Sequence, residues 1–117
     1  MTSTFSVVVP TLGRPSLTAL LETLAAQSEP PVEVVLVDDR PPGSPGGSVG
    51  ADRPLDVAAY PAARVVHGYG LGPAHARNAG WRSTGGDWVV FVDDDVLLTP
   101  SWSIDLLADL TAARPEL

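Results

Sequence analysis

The chain has 117 residues, enough for one domain with a genuine core but small for an enzyme that must hold two substrates. Fourteen acidic residues against seven basic ones, all arginine, leave a net charge of −7, which argues against nonspecific nucleic-acid binding and obliges any phosphate-bearing ligand to arrive with a cation or on well-placed arginines. The absence of cysteine excludes disulfides, thiolate metal sites and cysteine nucleophiles, while a hydrophobic fraction of 44% is that of an ordinary globular protein.

Phe5-Ser6-Val7-Val8-Val9 reads as a strand, stopped by Pro10, which has no amide proton for a ladder. After a loop at residues 11–15, Ser16 reads as a helix cap. Leu17, Leu20, Leu21, Leu24 and Ala25 follow at the spacing of one helical stripe, and Pro30-Pro31 end that helix. Residues 32–37 form a second strand that closes on Asp38-Asp39. Residues 40–61 are dense in proline, glycine and alanine without a period; they read as a long surface loop with room for one helical turn, and loops of such length are often functional. A short strand is expected at residues 64–67 and a flexible turn at 68–72. Pro73 suits the first position of a helix reaching about residue 84. Gly85-Gly86 break it before a strand at residues 87–92, whose apolar run Trp88-Val89-Val90-Phe91-Val92 ends abruptly on Asp93-Asp94-Asp95. Pro100 opens a last helix with Ile104, Leu107 and Leu110, flanked by Leu106, facing inward, and Arg114-Pro115 close it.

Strands alternating with helices predict an α/β fold with a mostly parallel sheet of about four strands. All strand C-termini then meet one edge, where ligands of such sheets bind. That edge would carry Pro10 and Thr11, Asp38 and Asp39, and the triplet Asp93, Asp94 and Asp95. Three adjacent carboxylates repel one another. Either they form a solvated acidic turn, or a hard divalent cation such as Mg²⁺ or Mn²⁺ gathers them. The helix starting at Pro73 would present its N-terminal amides at the same edge, with Arg77 one turn in, a combination that suits a diphosphate. Alone, Arg77 would read as a surface ion pair. His67 and His75 read as structural, and Trp81, Trp88 and Trp102 as packing residues, with Trp102 near enough to the triplet to meet a sugar.

Four ordered blocks carry a resemblance: residues 7–15 (VVVPTLGRP), 37–39 (VDD), 72–80 (GPAHARNAG) and 91–95 (FVDDD). Together they resemble the nucleotide-sugar-binding half of family 2 glycosyltransferases, inverting enzymes of the Rossmann-like GT-A fold. The resemblance implies that Pro10 and Thr11 line a nucleotide pocket with Arg14 nearby, that Asp39 binds the base or ribose supported by Asp38, and that Arg77 faces the pyrophosphate or base. It implies a DxD element of Asp93 and Asp95, with Asp95 the direct metal ligand and Asp93 or Asp94 reaching the ribose or a metal-bound water. The chain departs from the family where Val96 replaces a fourth acidic residue and where the second strand is followed by the loop at 40–61. It also implies that the catalytic base and acceptor site lie beyond Leu117, since Asp105, Asp109 and Glu116 read as a solvated face.

The competing readings are weaker. A receiver domain needs a lysine the chain lacks, a haloacid-dehalogenase phosphatase needs its acidic pair after the first strand, and Pro73 and His75 break a dinucleotide fingerprint. A nucleotide-sugar-binding module without turnover is the alternative from another class. No leader is evident and no apolar run approaches the ~20 residues of a membrane span, so a cytoplasmic location is expected. An uncovered sheet edge predicts self-association.

Overall fold

The structure is a computed structural model describing residues 3–41 and 54–113. Within them, strands β1 (Phe5–Thr11), β2 (Glu33–Asp38), β3 (Arg64–His67) and β4 (Trp88–Phe91) form one sheet in the order β3-β2-β1-β4, every neighbouring pair parallel. The helices are α1 (Ser16–Ala25), α2 (Pro73–Trp81) and α3 (Trp102–Ala113). None of the described helices is long and apolar enough to cross a membrane.

β1 and β2 are the central strands, and their near-continuous valine and leucine runs follow from being covered on both faces. Strand alternation divides the core. Phe5, Val7, Val9, Val34 and Leu36 meet Leu17, Leu20, Leu21 and Leu24 of α1, with Trp102, Leu106, Leu107 and Leu110 of α3 packed on them. Val8, Val35 and Val37 face the other way, against Ala76 of α2. β3 and β4 are the edges, where Val65 and Phe91 are exposed.

Several elements differ from the sequence reading. Ser16 is the first helical residue rather than the cap; Pro15 holds the cap position without a side-chain bond, and Ser16 Oγ is buried without a partner. Ala25 is exposed, and the α1 side is continued by Gln27, whose amide donates to Thr23 O and Thr99 O and accepts Ser103 N–H at 3.0 Å. That clamp fixes the first turn of α3 with Ser103 inward, which turns Ile104 out to 49% exposure; Leu106, Leu107 and Leu110 pack on the core as expected, joined by Trp102. Trp102 lies edge-on to Phe5, ring centres 5.8 Å apart, the packing role expected of it. The helix from Pro73 stops at Trp81, three residues short of expectation, because the Ser83 and Thr84 hydroxyls bond back to Gly80 O and Trp81 O. Of the proposed surface loop, Leu55 is buried in the main core with Val57, Ala59, Tyr60 and Ala63 packed on it. Residues 42–53, and with Arg114-Pro115 the end of the last helix, lie outside the described residues.

The opposite end of the sheet is tied by Glu33, which accepts Ser6 Oγ–H at 2.8 Å, Gly85 N–H and the Arg64 guanidinium at 3.0 Å. The Gly85 amide chiefly, with Ser6 and Arg64, holds the Glu33 carboxyl below its ordinary value of 4.5, against a smaller effect of burial. A depressed carboxylate contributes stability above its unfolded pKa and loses it as pH falls through its folded pKa. Glu33→Gln is therefore expected to lower stability at pH 7 by about 1 kcal/mol. In melting curves the gap between wild type and variant should close as the pH is taken below about 4.

Candidate functional site

The parallel register brings chemically different strand ends to one rim. Thr11 stands opposite Asp38, and Asp38 opposite His67. Val8 stands opposite Phe91, and Val92 N–H donates to Val8 O at 3.0 Å. β4 therefore leaves the sheet lower than β1 does, and the chain beyond it climbs alongside Pro10 and Thr11. At the level of Thr11 it has reached Asp94, and the Thr11 hydroxyl donates to Asp94 Oδ2 at 2.8 Å. Thr11 Oγ1 in turn accepts Gly13 N–H at 3.0 Å.

Arg14 reaches the same carboxylate from the loop before α1, with Nε 3.4 Å from Oδ2 and one terminal nitrogen on Oδ1. Asp94 is 2% exposed, whereas Asp93 and Asp95 on either side are exposed and line a cavity at the rim. The Arg14 terminal nitrogen also lies 4.0 Å from Asp95 Oδ2. Hydrogen bonding to Asp94 and the attraction of that charge hold Arg14 still more firmly protonated than usual.

Asp38 and Asp39 point to different tasks. Both oxygens of Asp38 are taken by Arg40, Nε to Oδ1 at 2.8 Å and a terminal nitrogen to Oδ2 at 2.7 Å, and Asp38 does not line the cavity. Asp39, anchored by N–H donation to Thr11 O at 2.9 Å, does line it and accepts Gly70 N–H on Oδ1 at 3.1 Å. That bond ties Asp39 to the turn leading into α2. The turn runs through left-handed backbone at Tyr69 (φ 62°), Gly70 (φ 73°) and Gly72 (φ 100°). At Gly70 glycine is needed twice over, for the backbone angle and because a Cβ would fall 2.8 Å from Pro41 Cα. The turn delivers Pro73 at the first position of α2, and Gly72, Pro73 and Arg77 line the cavity that Asp39, Asp93 and Asp95 border.

The cavity measures about 470 Å³, within the range of small-molecule sites. Of the residues singled out in the sequence, Pro10, Thr11, Arg14, Asp39, Arg77, Asp93, Asp94 and Asp95 line it, and Asp38 is left behind the rim. Leu12, Pro41, Gly70, Gly72 and Pro73 complete the wall. Gly70 and Gly72 were legible as turn residues but not as wall; Leu12 had a signal, an apolar side chain in a polar turn. His67 and His75 are exposed, and His67 is beside Tyr69, ring centres 6.0 Å apart.

Among the described residues no three His, Cys, Asp or Glu side chains cluster as a metal cage. Asp94 turns inward to Thr11 and Arg14 and leaves two carboxylates of the triplet outside. Two carboxylates are nevertheless the usual protein share of a Mg²⁺ site completed by phosphate oxygens. The wall also carries four carboxylates against two guanidinium groups, an excess of negative charge that a cation would offset for a diphosphate. The donor set therefore fits Mg²⁺ or Mn²⁺ held by Asp93 and Asp95.

The chain is 33% identical to an uncharacterized glycosyltransferase of Haemophilus influenzae over 98 residues, 81% of this chain and 30% of that protein. It is 34% identical to the uncharacterized glycosyltransferase YwdF of Bacillus subtilis over 96 residues, 81% of this chain and 34% of that protein. It thus spans about a third of the length of these curated relatives. Among solved structures, S. aureus TarS 1–349 superposes with a TM-score of 0.74 at 30% identity, covering 93% of this chain and 32% of that one. TarS 1–349 in complex with UDP-GlcNAc gives a TM-score of 0.66 at 27% identity, covering 93% of this chain and 31% of that one. The fold is accordingly a four-stranded parallel α/β sheet flanked by helices, with GT-A structural neighbours. The Glycosyl transferase family 2 model matches residues 6–116, nearly the whole sequence, and the chain belongs to that family.

Proposed function

We propose that the chain binds a nucleoside diphosphate sugar in the rim cavity, together with Mg²⁺ or Mn²⁺, as the donor domain of an inverting glycosyltransferase. The observation that carries this reading is the meeting of Asp39, the α2 N-terminus with Arg77, and the outward pair Asp93 and Asp95 around one cavity. Asp39 has its second carboxylate oxygen to accept a hydrogen bond from the base or ribose. The α2 amides and the Arg77 guanidinium hold the diphosphate. Asp93 and Asp95 hold the cation, which when bound offsets the charge that builds on the departing diphosphate. Uridine is the first base to test, because TarS has been solved with UDP and with UDP-GlcNAc.

Displacement with inversion also needs a carboxylate to take the acceptor proton. Asp39, Asp93, Asp94 and Asp95 each have another role here, and Asp105 and Asp109 sit on the exposed side of α3. The chain spans about a third of its curated relatives' length, which supports placing the base and acceptor site outside residues 1–117; we place the assembled enzyme in the cytoplasm. Titration calorimetry against UDP, GDP and TDP, each with and without Mn²⁺, tests the donor site. Mn²⁺-dependent binding of one nucleotide is the expected result; no binding under any of the six conditions would refute the reading.

A further inference from the structure

Arg14 lies between two carboxylates with different surroundings. Asp94 is buried and held by Thr11; Asp95 is exposed, 4.0 Å from the same guanidinium nitrogen, and is one of the two residues assigned above to the cation. The Arg14 side chain itself is 55% exposed, and the terminal nitrogen that Asp94 holds is the one that lies 4.0 Å from Asp95. A fixed positive charge beside a metal-binding carboxylate opposes a second cation there. We propose that Arg14 is an internal counter-cation of the triplet, a positioning residue that Asp94 holds in place and that competes with the divalent ion for Asp95.

Two consequences give the idea a sign. While Asp94 retains Arg14, the guanidinium is kept from closing fully on Asp95, so Asp94 protects the metal-binding carboxylate. Without Asp94, Arg14 pairs with Asp95 and shuts it. Without Arg14, the outer carboxylates keep their full negative charge, and the nucleotide-free protein takes up cation more readily. Removing either member of a purely structural pair would loosen the rim and weaken binding both times. Here the two removals act in opposite directions.

The inference rests on the cation site of the preceding section, and the test separates the two. Mn²⁺ alone is titrated by electron paramagnetic resonance into wild type, Arg14→Gln, Arg14→Lys, Asp94→Asn and the double variant Arg14→Gln/Asp94→Asn, with melting curves to establish folding. Arg14→Gln should bind Mn²⁺ roughly three- to tenfold more tightly than wild type, the size expected for one charge removed near a partly solvated site. Arg14→Lys, which keeps the charge but not the fork, should stay within about twofold of wild type. Asp94→Asn should bind more weakly than wild type, and the double variant more tightly than Asp94→Asn. Should Asp94→Asn fail to fold, the contrast between glutamine and lysine at position 14 decides alone. Weaker or unchanged binding in Arg14→Gln, or no detectable Mn²⁺ in that variant, overturns the counter-cation. A parallel series with UDP present addresses the parent reading: wild type that takes up no Mn²⁺ even with UDP overturns the cation site itself.

Discussion

Asp95→Ala and Asp93→Ala are each expected to reduce Mn²⁺-dependent UDP binding by about 100-fold or more, while thermal stability without metal changes by no more than about 0.5 kcal/mol. The affinity figure is a lower bound, since loss of a mere partner of a metal ligand already costs about 10–100-fold. The small stability change follows from exposure. Both side chains line the cavity, and among the described residues the one ion pair involved is the long contact from Arg14 to Asp95. Taking away one of three neighbouring negative charges relieves repulsion as much as it removes attraction. Asp39→Ala should behave differently. It should also reduce Mn²⁺-dependent UDP binding, but it should in addition lower the melting temperature, because Gly70 N–H loses its acceptor and the turn into α2 is loosened. Calorimetry beside melting curves reads all three variants, and a comparable loss of stability in Asp95→Ala would show the triplet to be structural.

The sequence disclosed periodicity well and pairing poorly. β3 fell where it was expected and β2 within a residue, because valine and leucine runs closed by acidic or glycine residues have few alternative readings. The common rim was legible too, since a parallel sheet leaves its strand ends no choice of side. The division of labour inside each acidic cluster was not. Whether Asp38 or Asp39 faces the cavity depends on Arg40 folding back two residues to occupy both oxygens of Asp38. Whether Asp94 is ligand or anchor depends on a register that places it level with Thr11, a contact between residues 83 positions apart. Spacing within a motif carries no information about such partners. Ile104 illustrates the same limit in a helix: Leu106, Leu107 and Leu110 of the expected stripe pack on the core, but Ile104 is turned out because the Gln27 clamp, set from just beyond α1, brings Ser103 inward.

Gly80→Ala is expected to destabilise the protein by about 2 kcal/mol, and Gly80→Val to prevent folding. A methyl group on Gly80 would fall well inside contact distance of Val8 Cγ1 and 3.0 Å from Val37 Cγ2, both on the central strands. Neither valine can yield easily, because each is fully buried and β-branched. The gain of about 1 kcal/mol from alanine's better helix propensity offsets part of that cost but not all of it. The sign should therefore invert when the obstacle is removed. In a Val8→Ala background, itself destabilised by roughly 2 kcal/mol, Gly80→Ala should be neutral or stabilising, a coupling visible in a double-mutant cycle by denaturant melts. The close approach is also what fixes the distance of α2 from the rim. If alanine at position 80 lifts the helix from the sheet, the N-terminal amides and Arg77 withdraw from the cavity with it. Gly80→Ala should then weaken UDP binding at temperatures where the variant is still fully folded, and the Val8→Ala/Gly80→Ala pair should recover it. A variant that loses stability with unchanged UDP affinity would mean that the turn held by Asp39, rather than the packing of α2, positions the diphosphate-binding end.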